Sequence, residues 1–417
     1  LYAGAAAVLV SFFALTVFRV KPKLRGGAAG RTLPAGLRRL ADARATRVVL
    51  RAAGVLLLVV LLAASWFGTD SAATNPAATW FYVWFWFGLV PLALLFGPVW
   101  RLVNPLRALA AALRPLLPNR QLPHRIGYWS ATAGVLVFLW LELVFADSAN
   151  PRAIAVFVTV YAVLHAVAGA VYGPRWFDTG DAFEVYFGLI GRLAPIGRRD
   201  DGRLVLRNPL DGLLTIPRAR GLTTVVLVVL GSTAFDGLTR LSVWSDLTGD
   251  VRGLPLALLG TAGLLFCIAG VAGVYTGGIW LTKPYLRRSA THDGFGQFAH
   301  ALVPIMVGYT VAHYFSFAVF QGQAGWLLAT DPFGLGWDLL GTGGIGALSI
   351  DYTVASTTAI ALVQVGAIVL GHVIGVTSAH DRAIGIVRGK YVRVGQYPML
   401  AAMVVFTATG IALVSGG

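Results

Sequence analysis

The sequence is poor in charged residues and in cysteine. Only 12% of its 417 residues are charged, whereas soluble domains have about 25%. The single cysteine, Cys267, lies in an apolar segment, which excludes a disulfide framework. Hydrophobic residues make up 57% of the chain, and the mean hydropathy is +0.74. The composition therefore excludes an ordinary soluble domain and predicts a single integral membrane domain over residues 1–417.

Motifs that would identify a reaction are also missing. The chain has no HExxH zinc-binding sequence and no CxxCH haem-attachment sequence. It has no clear internal repeat of the kind found in many transporters. Function must therefore be inferred from isolated polar residues and their depth in the membrane.

Apolar runs long enough to cross a bilayer, which takes about 20 residues, recur along the whole chain. They are continuous rather than alternating, which favours helices over barrel strands. The sequence thus predicts an all-α, polytopic transmembrane bundle of about ten helices. The predicted spans are 2–18, 51–67, 79–100, 128–146, 152–172, 221–238, 254–280, 297–320, 353–378 and 396–415. Because the chain begins with Leu1 rather than Met, we expect a further segment to precede it.

Basic residues are concentrated in alternate connections between these spans. The basic loop 19–51 and the connections 101–127, 173–220, 281–297 and 379–397 together hold 30 of the 33 Lys and Arg residues. The other connections hold only Arg152, Arg240 and Arg252.

This asymmetry predicts the orientation of the protein. By the positive-inside rule the first set is cytoplasmic, so both termini and the 321–352 loop lie outside. We expect the protein in the bacterial cytoplasmic (inner) membrane. Its basic charge then serves topology and attraction to anionic lipids at the cytoplasmic face rather than binding of nucleic acid. The sequence indicates no particular protein partner.

Two connections carry further signals. In the 173–220 cytoplasmic connection, Asp178, Asp181 and Glu184 are spaced by three residues, which favours one helical face. They could bind a divalent cation or cap a helix N-terminus. The Asp201-Gly202 pair in the same connection predicts a hairpin. The 321–352 outer loop has no Lys or Arg, and its tryptophans and glycines favour a re-entrant segment, a lid or a flexible loop.

Two single ionisable residues lie within spans. Glu142 is near the outer end of the fourth span and could reach lipid headgroups or a buried partner. His165 is near the middle of the fifth span, where a hydrogen bond to a neighbouring backbone carbonyl is the simplest expectation.

The richest set of polar residues lies on the spans 297–320 and 353–378 and just beyond them. It comprises His300, Tyr309, His313, Gln364, His372, His380 and Asp381. Exposure of such groups to lipid costs a few kcal/mol each. We therefore predict that the two spans pack against each other and that His372 lies within one side-chain length of the other span. A rise of about 1.5 Å per residue places His300 and His313 roughly 20 Å apart, too far for one small site.

Three functions are compatible with these residues. In a metal-dependent hydrolase, a divalent metal such as zinc would activate water. In a transporter or proton-coupled permease, the same groups would line a path. In a haem- or quinol-binding redox subunit, histidines on facing helices would hold the cofactor at matching depth. The candidate metal ligands are His300, His313, His372 and His380, and the candidate catalytic residues are Asp236, Tyr309 and Asp381.

Several segments resemble one bacterial family. They are LYAGAAAVLVSFFAL, GPRWFDTGDAFEVYFGLIGRLAPIGRRDDGRL, STAFDGL, HALVPIMVGYTVAHYFS, FGLGWDLLGT and LGHVIGVTSAHDRA. They look like polytopic membrane proteins commonly named fenitrothion hydrolase, and the resemblance covers nearly the whole chain. It implies hydrolysis of organophosphate triesters but carries over no catalytic residues.

Overall fold

Long apolar helices dominate the computed structural model, which describes residues 10, 13, 21–291, 294–344 and 349–415. The helices are α1 (Arg44–Phe67), α2 (Leu89–Phe96, continuing the π-helix Thr79–Phe87), α3 (Trp129–Leu143), α4 (Pro151–Tyr172), α5 (Leu222–Thr239), α6 (Leu254–Thr282), α7 (Ala299–Leu328), α8 (Thr357–Ile386) and α9 (Tyr397–Ser415). All except α3 belong to helical segments long and apolar enough to cross a membrane, eight segments within the described residues.

The predicted all-α bundle is therefore confirmed, whereas the number of ten helices stays a prediction. The predicted span 2–18 lies, apart from two residues, outside the described part of the chain. The predicted span 128–146 corresponds to α3, which has only 15 residues. Helix α7 continues to Leu328, so the outer loop begins later than predicted.

Short elements fill the connections. The short helices are Ala35–Asp42, Val99–Val103, Pro105–Leu113, Arg175–Thr179, Ala182–Ile190, Pro209–Leu213, Ser242–Thr248 and Arg288–Thr291. Three short strands, β1 (Arg31–Thr32), β2 (Ile196–Arg198) and β3 (Leu204–Leu206), form an antiparallel sheet in the order β1-β3-β2. Strands β2 and β3 form the predicted hairpin around Asp201-Gly202, which is thus confirmed.

The basic connections lie on one face of the bundle. Strand β1 belongs to the basic loop 19–51 and pairs with β3 of the 173–220 connection. The backbone N–H of Lys23 donates to the Asp381 carboxylate at the end of α8 at 2.8 Å. Leu286 of the 281–297 connection and Val387 of the 379–397 connection form an antiparallel β-bridge. These contacts bring the basic connections together, and their side of the membrane stays a prediction.

The other connections meet on the opposite face. Trp80 donates its indole N–H to the carbonyl of Gly325 at 3.0 Å, and Tyr82 donates its hydroxyl to Ser148. In the outer loop, the Asp331 carboxylate accepts hydrogen bonds from the backbone N–H groups of Leu335 and Gly336. In the described part of this loop, the Asp331 side chain therefore stabilises the turn that follows it.

The 173–220 connection enters the bundle rather than lying on its surface. The Asp181 carboxylate accepts from the N–H groups of Phe183 and Glu184, so it caps the helix Ala182–Ile190. Every residue of that helix except Gly188 is buried. Of the two alternatives for the acidic residues, the structure therefore shows helix capping for Asp181.

Arg107 neutralises the other buried carboxylate of this connection. Its guanidinium donates through Nε to Glu184 at 2.7 Å and contacts Asp178 at 2.8 Å. Asn104 donates its side-chain amide to both Asp181 and Glu184. Burial raises the pKa of the Glu184 carboxyl, and the ion pair with Arg107 opposes that rise. An arginine and an asparagine thus hold two acidic side chains inside the protein.

Helices α7 and α8 pack closely along glycines, as predicted for the two polar spans. A Cβ atom added to Gly308 would lie 2.5 Å from the carbonyl oxygen of Ala367. One added to Gly371 would lie 2.5 Å from that of Pro304. Small residues allow backbones to approach in this way in membranes. The side chains that flank these glycines, including His372, are consequently held between the helices.

We expect Gly371→Ala to destabilise the protein by about 1–3 kcal/mol, because the new methyl group overpacks the contact between α7 and α8. Gly366→Ala is the matched control: it lies on the same helix, and an added Cβ there meets no atom within 4 Å. The control should be neutral or slightly stabilising, since alanine favours helix by up to about 1 kcal/mol. Unfolding in mixed detergent–SDS micelles measures both changes, and equal values for the two variants would contradict the packing.

Candidate functional site

A histidine in the middle of α7 is hydrogen-bonded to a carboxylate near the C-terminal end of α5. His313 Nδ1 is 2.8 Å from Asp236 Oδ2, and Arg240 Nη2 is 2.9 Å from the same oxygen. The His313 side chain is almost fully buried, whereas Asp236 is 25% and Arg240 is 47% exposed. The carboxylate only accepts, so His313 Nδ1 carries a proton. The pair thus connects a buried imidazole with the surface of the protein.

A second carboxyl group lies next to this pair. Tyr314, which follows His313 on α7, donates its hydroxyl to Glu142 Oε1 at 2.8 Å. The other oxygen, Glu142 Oε2, is buried and has no hydrogen-bond partner among the described residues. Of the two alternatives for Glu142, the structure shows the buried partner. The sequence did not predict that Glu142 of α3 lies beside Tyr314.

Tyr309 and His372 continue the polar groups towards the middle of the membrane. The Tyr309 ring is stacked with that of His313 at a centroid separation of 6.5 Å, and it lies 5.9 Å from the His372 ring. The Tyr309 hydroxyl donates to the carbonyl of Phe406 on α9. The predicted contact between His372 and the facing span is therefore confirmed.

In each of the two histidines next to Tyr309, one ring nitrogen has no hydrogen-bond partner among the described residues. His372 Nδ1 lies 2.8 Å from the carbonyl of Ile368, which can only accept, so Nδ1 carries the proton. His372 Nε2 and His313 Nε2 are buried and have no partner in the described part of the chain. A neutral imidazole with one N–H donor has an acceptor at its second nitrogen. Both nitrogens are therefore hydrogen-bond acceptors without a donor in the stretches that the structure describes.

Two further histidines lie near the basic face. His300 Nε2 is 3.4 Å from the carbonyl of Ser378, which places His300 closer to the level of His380 than to that of His372. The Ser378 hydroxyl is buried without a partner among the described residues. His380 Nδ1 lies 2.7 Å from the side-chain oxygen of Gln396.

The remaining polar residues singled out in the sequence lie elsewhere, and Asp381 and His165 have structural partners. Asp381 is 3% exposed and accepts the backbone N–H of Lys23, so it fastens the basic loop to α8. His165 Nδ1 accepts from the indole N–H of Trp176 at 3.1 Å rather than bonding a backbone carbonyl as expected. Gln364 is only half-buried on α8. These three residues lie apart from the unpaired imidazoles.

The four candidate metal ligands do not form one site. His313 pairs with Asp236, His372 with its own helix, His300 with Ser378 and His380 with Gln396. Within the described ranges, no group of three His, Cys, Asp or Glu side chains could hold a metal ion. The four histidines are spread along two antiparallel helices, so they lie at different depths and their side chains do not meet at one point.

A haem between α7 and α8 does not fit either. The helices are in backbone contact at Gly308 and Gly371, where even one additional carbon would meet a carbonyl oxygen at 2.5 Å. A macrocycle needs the helices to stand apart at the level of its ligands. The close packing that buries His372 therefore excludes a planar cofactor at this interface.

No protein-family model matches the chain, and comparisons with curated proteins and with solved structures give no match either. The class of the protein therefore follows from the fold and the site. Eight helical segments of membrane length enclose buried ionisable side chains at several depths. The chain is a polytopic helical membrane protein with a row of polar residues between α7 and α8.

Proposed function

We propose that this protein translocates protons, or couples their movement to transport, along the interface of α7 and α8. The observation that carries the proposal is the pair of imidazole nitrogens without partners in the described structure, His313 Nε2 and His372 Nε2, whose rings both lie within 6.5 Å of the Tyr309 ring. Buried polar atoms without partners are rare in proteins and require an explanation. Ionisable groups at membrane depth commonly mark proton relays.

The outer half of the path begins at Asp236. Its partly exposed carboxylate can exchange protons with the outer surface, and it accepts a hydrogen bond from His313 Nδ1. Glu142 and Tyr314 provide a further acidic group beside this histidine. From His313, a proton would reach the acceptor nitrogen of His372 through the Tyr309 hydroxyl, which would turn away from the Phe406 carbonyl, donate its own proton to His372 and take one from His313.

The inner half of the path runs along α8. His372 and Ser378 are six residues apart, which corresponds to about 9 Å of helix rise. The Ser378 hydroxyl, unpartnered in the described structure, and His300 beside it are the next groups towards the basic face. Gly375 of α8 packs against the Ala301 carbonyl between His372 and Ser378, so water would have to enter as the helices separate in order to bridge this gap. His380 and Gln396 then lead to the surface.

The basic face supports an orientation for this path. We place the face that carries the basic loops in the cytoplasm of a bacterial inner membrane, with both termini outside, because 30 of 33 Lys and Arg residues belong to those loops. Anionic lipids would contact the same face. Protons driven by the usual membrane potential would then enter at Asp236 and leave near His380.

Metal-dependent hydrolysis of phosphotriesters, which the family resemblance implies, is the competing proposal. It needs at least three ligands around one ion, and the four histidines instead have four separate partners. Metal analysis of the purified protein separates the proposals. One zinc or other divalent ion per chain, lost together with phosphotriesterase activity on chelation, would favour the hydrolase.

Replacing His372 tests the relay at its centre. We expect His372→Phe to lower voltage-driven proton uptake into liposomes by at least ~100-fold, the usual contribution of a positioned proton-transfer group. His124→Phe is the control, because His124 is exposed in a basic connection. Circular dichroism and gel filtration would establish that both variants fold. Equal proton uptake by the folded His372 variant and wild type would contradict the relay.

A further inference from the structure

A cavity of about 260 Å³ lies beside Tyr309, between α5, α6 and α9. This volume is just below the range of about 300–1,000 Å³ common for small-molecule sites. Its lining includes Phe266, which is 74% exposed, and Val405, which is 46% exposed. Helix α6, which carries Phe266, is the least buried of the candidate membrane spans. The cavity therefore opens sideways, towards the hydrocarbon of the bilayer.

The chemistry of the walls limits what can bind. None of the lining side chains is charged, and all are apolar except Cys267, Tyr309 and Thr409. The Tyr309 hydroxyl donates to Phe406, and its oxygen can still accept a hydrogen bond. An occupant that matches these walls is uncharged and mostly apolar and carries one hydrogen-bond donor.

We infer that this cavity binds a membrane-dissolved alcohol, a molecule with an apolar body and a single hydroxyl group, at the Tyr309 side of the proton path. The inference rests on the proposed function and deepens it by naming the class of co-transported substrate. Tyr309 belongs to both features: its ring contacts those of His313 and His372, and its side chain lines the cavity. A substrate held there touches the residue through which protons pass. A phospholipid acyl chain would leave the acceptor capacity of the Tyr309 oxygen unused.

Two glycines on α6 provide a matched pair of variants. Gly270 lines the cavity, and a Cβ added there meets no atom within 4 Å, so Gly270→Leu fills the space without a clash. Gly273 is equally open but does not line the cavity. Both changes introduce the same residue on one exposed helix and have equal effects on helix propensity. Only Gly270→Leu reduces the volume of the cavity that a ligand could occupy.

The experiment uses a long-chain alcohol that carries a photoreactive diazirine. The full-length protein in liposomes is irradiated with this probe, and labelled peptides are identified by mass spectrometry. In the wild-type protein we expect labelling of the cavity segments of α6 and α9. In Gly270→Leu this labelling should fall to the level of the other lipid-facing helices, and in Gly273→Leu it should be retained. Labelling of Gly270→Leu at the wild-type level would overturn the inference.

A second probe distinguishes the source of the ligand. A phospholipid with a diazirine in its acyl chain should label all lipid-facing helices alike, with no dependence on residue 270. If its labelling is concentrated in the cavity and lost in Gly270→Leu, the cavity is an acyl-chain groove and the inference fails. The labelling needs no proton gradient, so the inference and the proposed proton translocation can fail independently.

Discussion

Arg107→Met is expected to lower the unfolding free energy by about 3–5 kcal/mol, because it leaves the buried Glu184 carboxylate without its ion pair. Glu184 is 5% and Arg107 is 8% exposed. Water therefore cannot replace the lost hydrogen bonds. The guanidinium also lies 4.9 Å from the centre of the Phe177 ring, a contact that methionine only partly restores. Equilibrium unfolding in mixed detergent–SDS micelles measures the change.

Two further variants isolate this effect. Arg101 pairs with Asp178 at 3.0 Å, but its side chain is 52% exposed, so Arg101→Met should cost less than about 1 kcal/mol. The double change Arg107→Met and Glu184→Leu removes both charges and should recover most of the lost stability, because an apolar pair can replace a buried ion pair. If the double variant is no more stable than Arg107→Met alone, the uncompensated carboxylate is not the cause.

The second large effect is expected at the outer end of the proton path. Asp236→Asn should lower voltage-driven proton uptake by about 100-fold or more, the range for loss of a group that takes part directly in proton transfer. Asparagine retains the shape of the side chain and can still bond His313. It does not take up or release a proton, so it cannot exchange protons between the surface and His313. Folding should be little affected because the substitution is isosteric.

Asp246→Asn is the matched control for this prediction. Asp246 is exposed on the short helix Ser242–Thr248, which follows α5 on the same face of the bundle. It should leave proton uptake unchanged. Proton uptake that falls equally in both variants would indicate a general effect of outer-face charge and would contradict a specific role for Asp236.

The fold was largely predictable because hydrophobic length and charge asymmetry are local properties of the sequence. Eight helical segments and the grouping of the basic loops follow from them. Packing of α7 on α8 was also predictable, since His372 and Tyr309 could avoid lipid only by facing another helix. The 15-residue helix α3 shows the limit, because the apolar run around Glu142 is longer than the helix it forms.

The pairing of individual side chains was not predictable. Asp236 and His313 are 77 residues apart in sequence, and Tyr314 and Glu142 are 172 apart. Nothing local shows that α3, α5 and α7 bring them together. The four histidines suggested a metal site because they share two spans, but their depths along antiparallel helices separate them. The row of histidines and Tyr309 appears only when the helix rotations are known.

Proton movement through the wild-type protein is the most direct test of the central claim. Purified protein is reconstituted into sealed liposomes that contain a pH-sensitive dye, and a potassium diffusion potential, negative inside, is applied. We predict internal acidification that depends on the potential and scales with the amount of protein. Acidification no faster than that of protein-free liposomes, at every protein content and either sign of the potential, would contradict a proton path along α7 and α8.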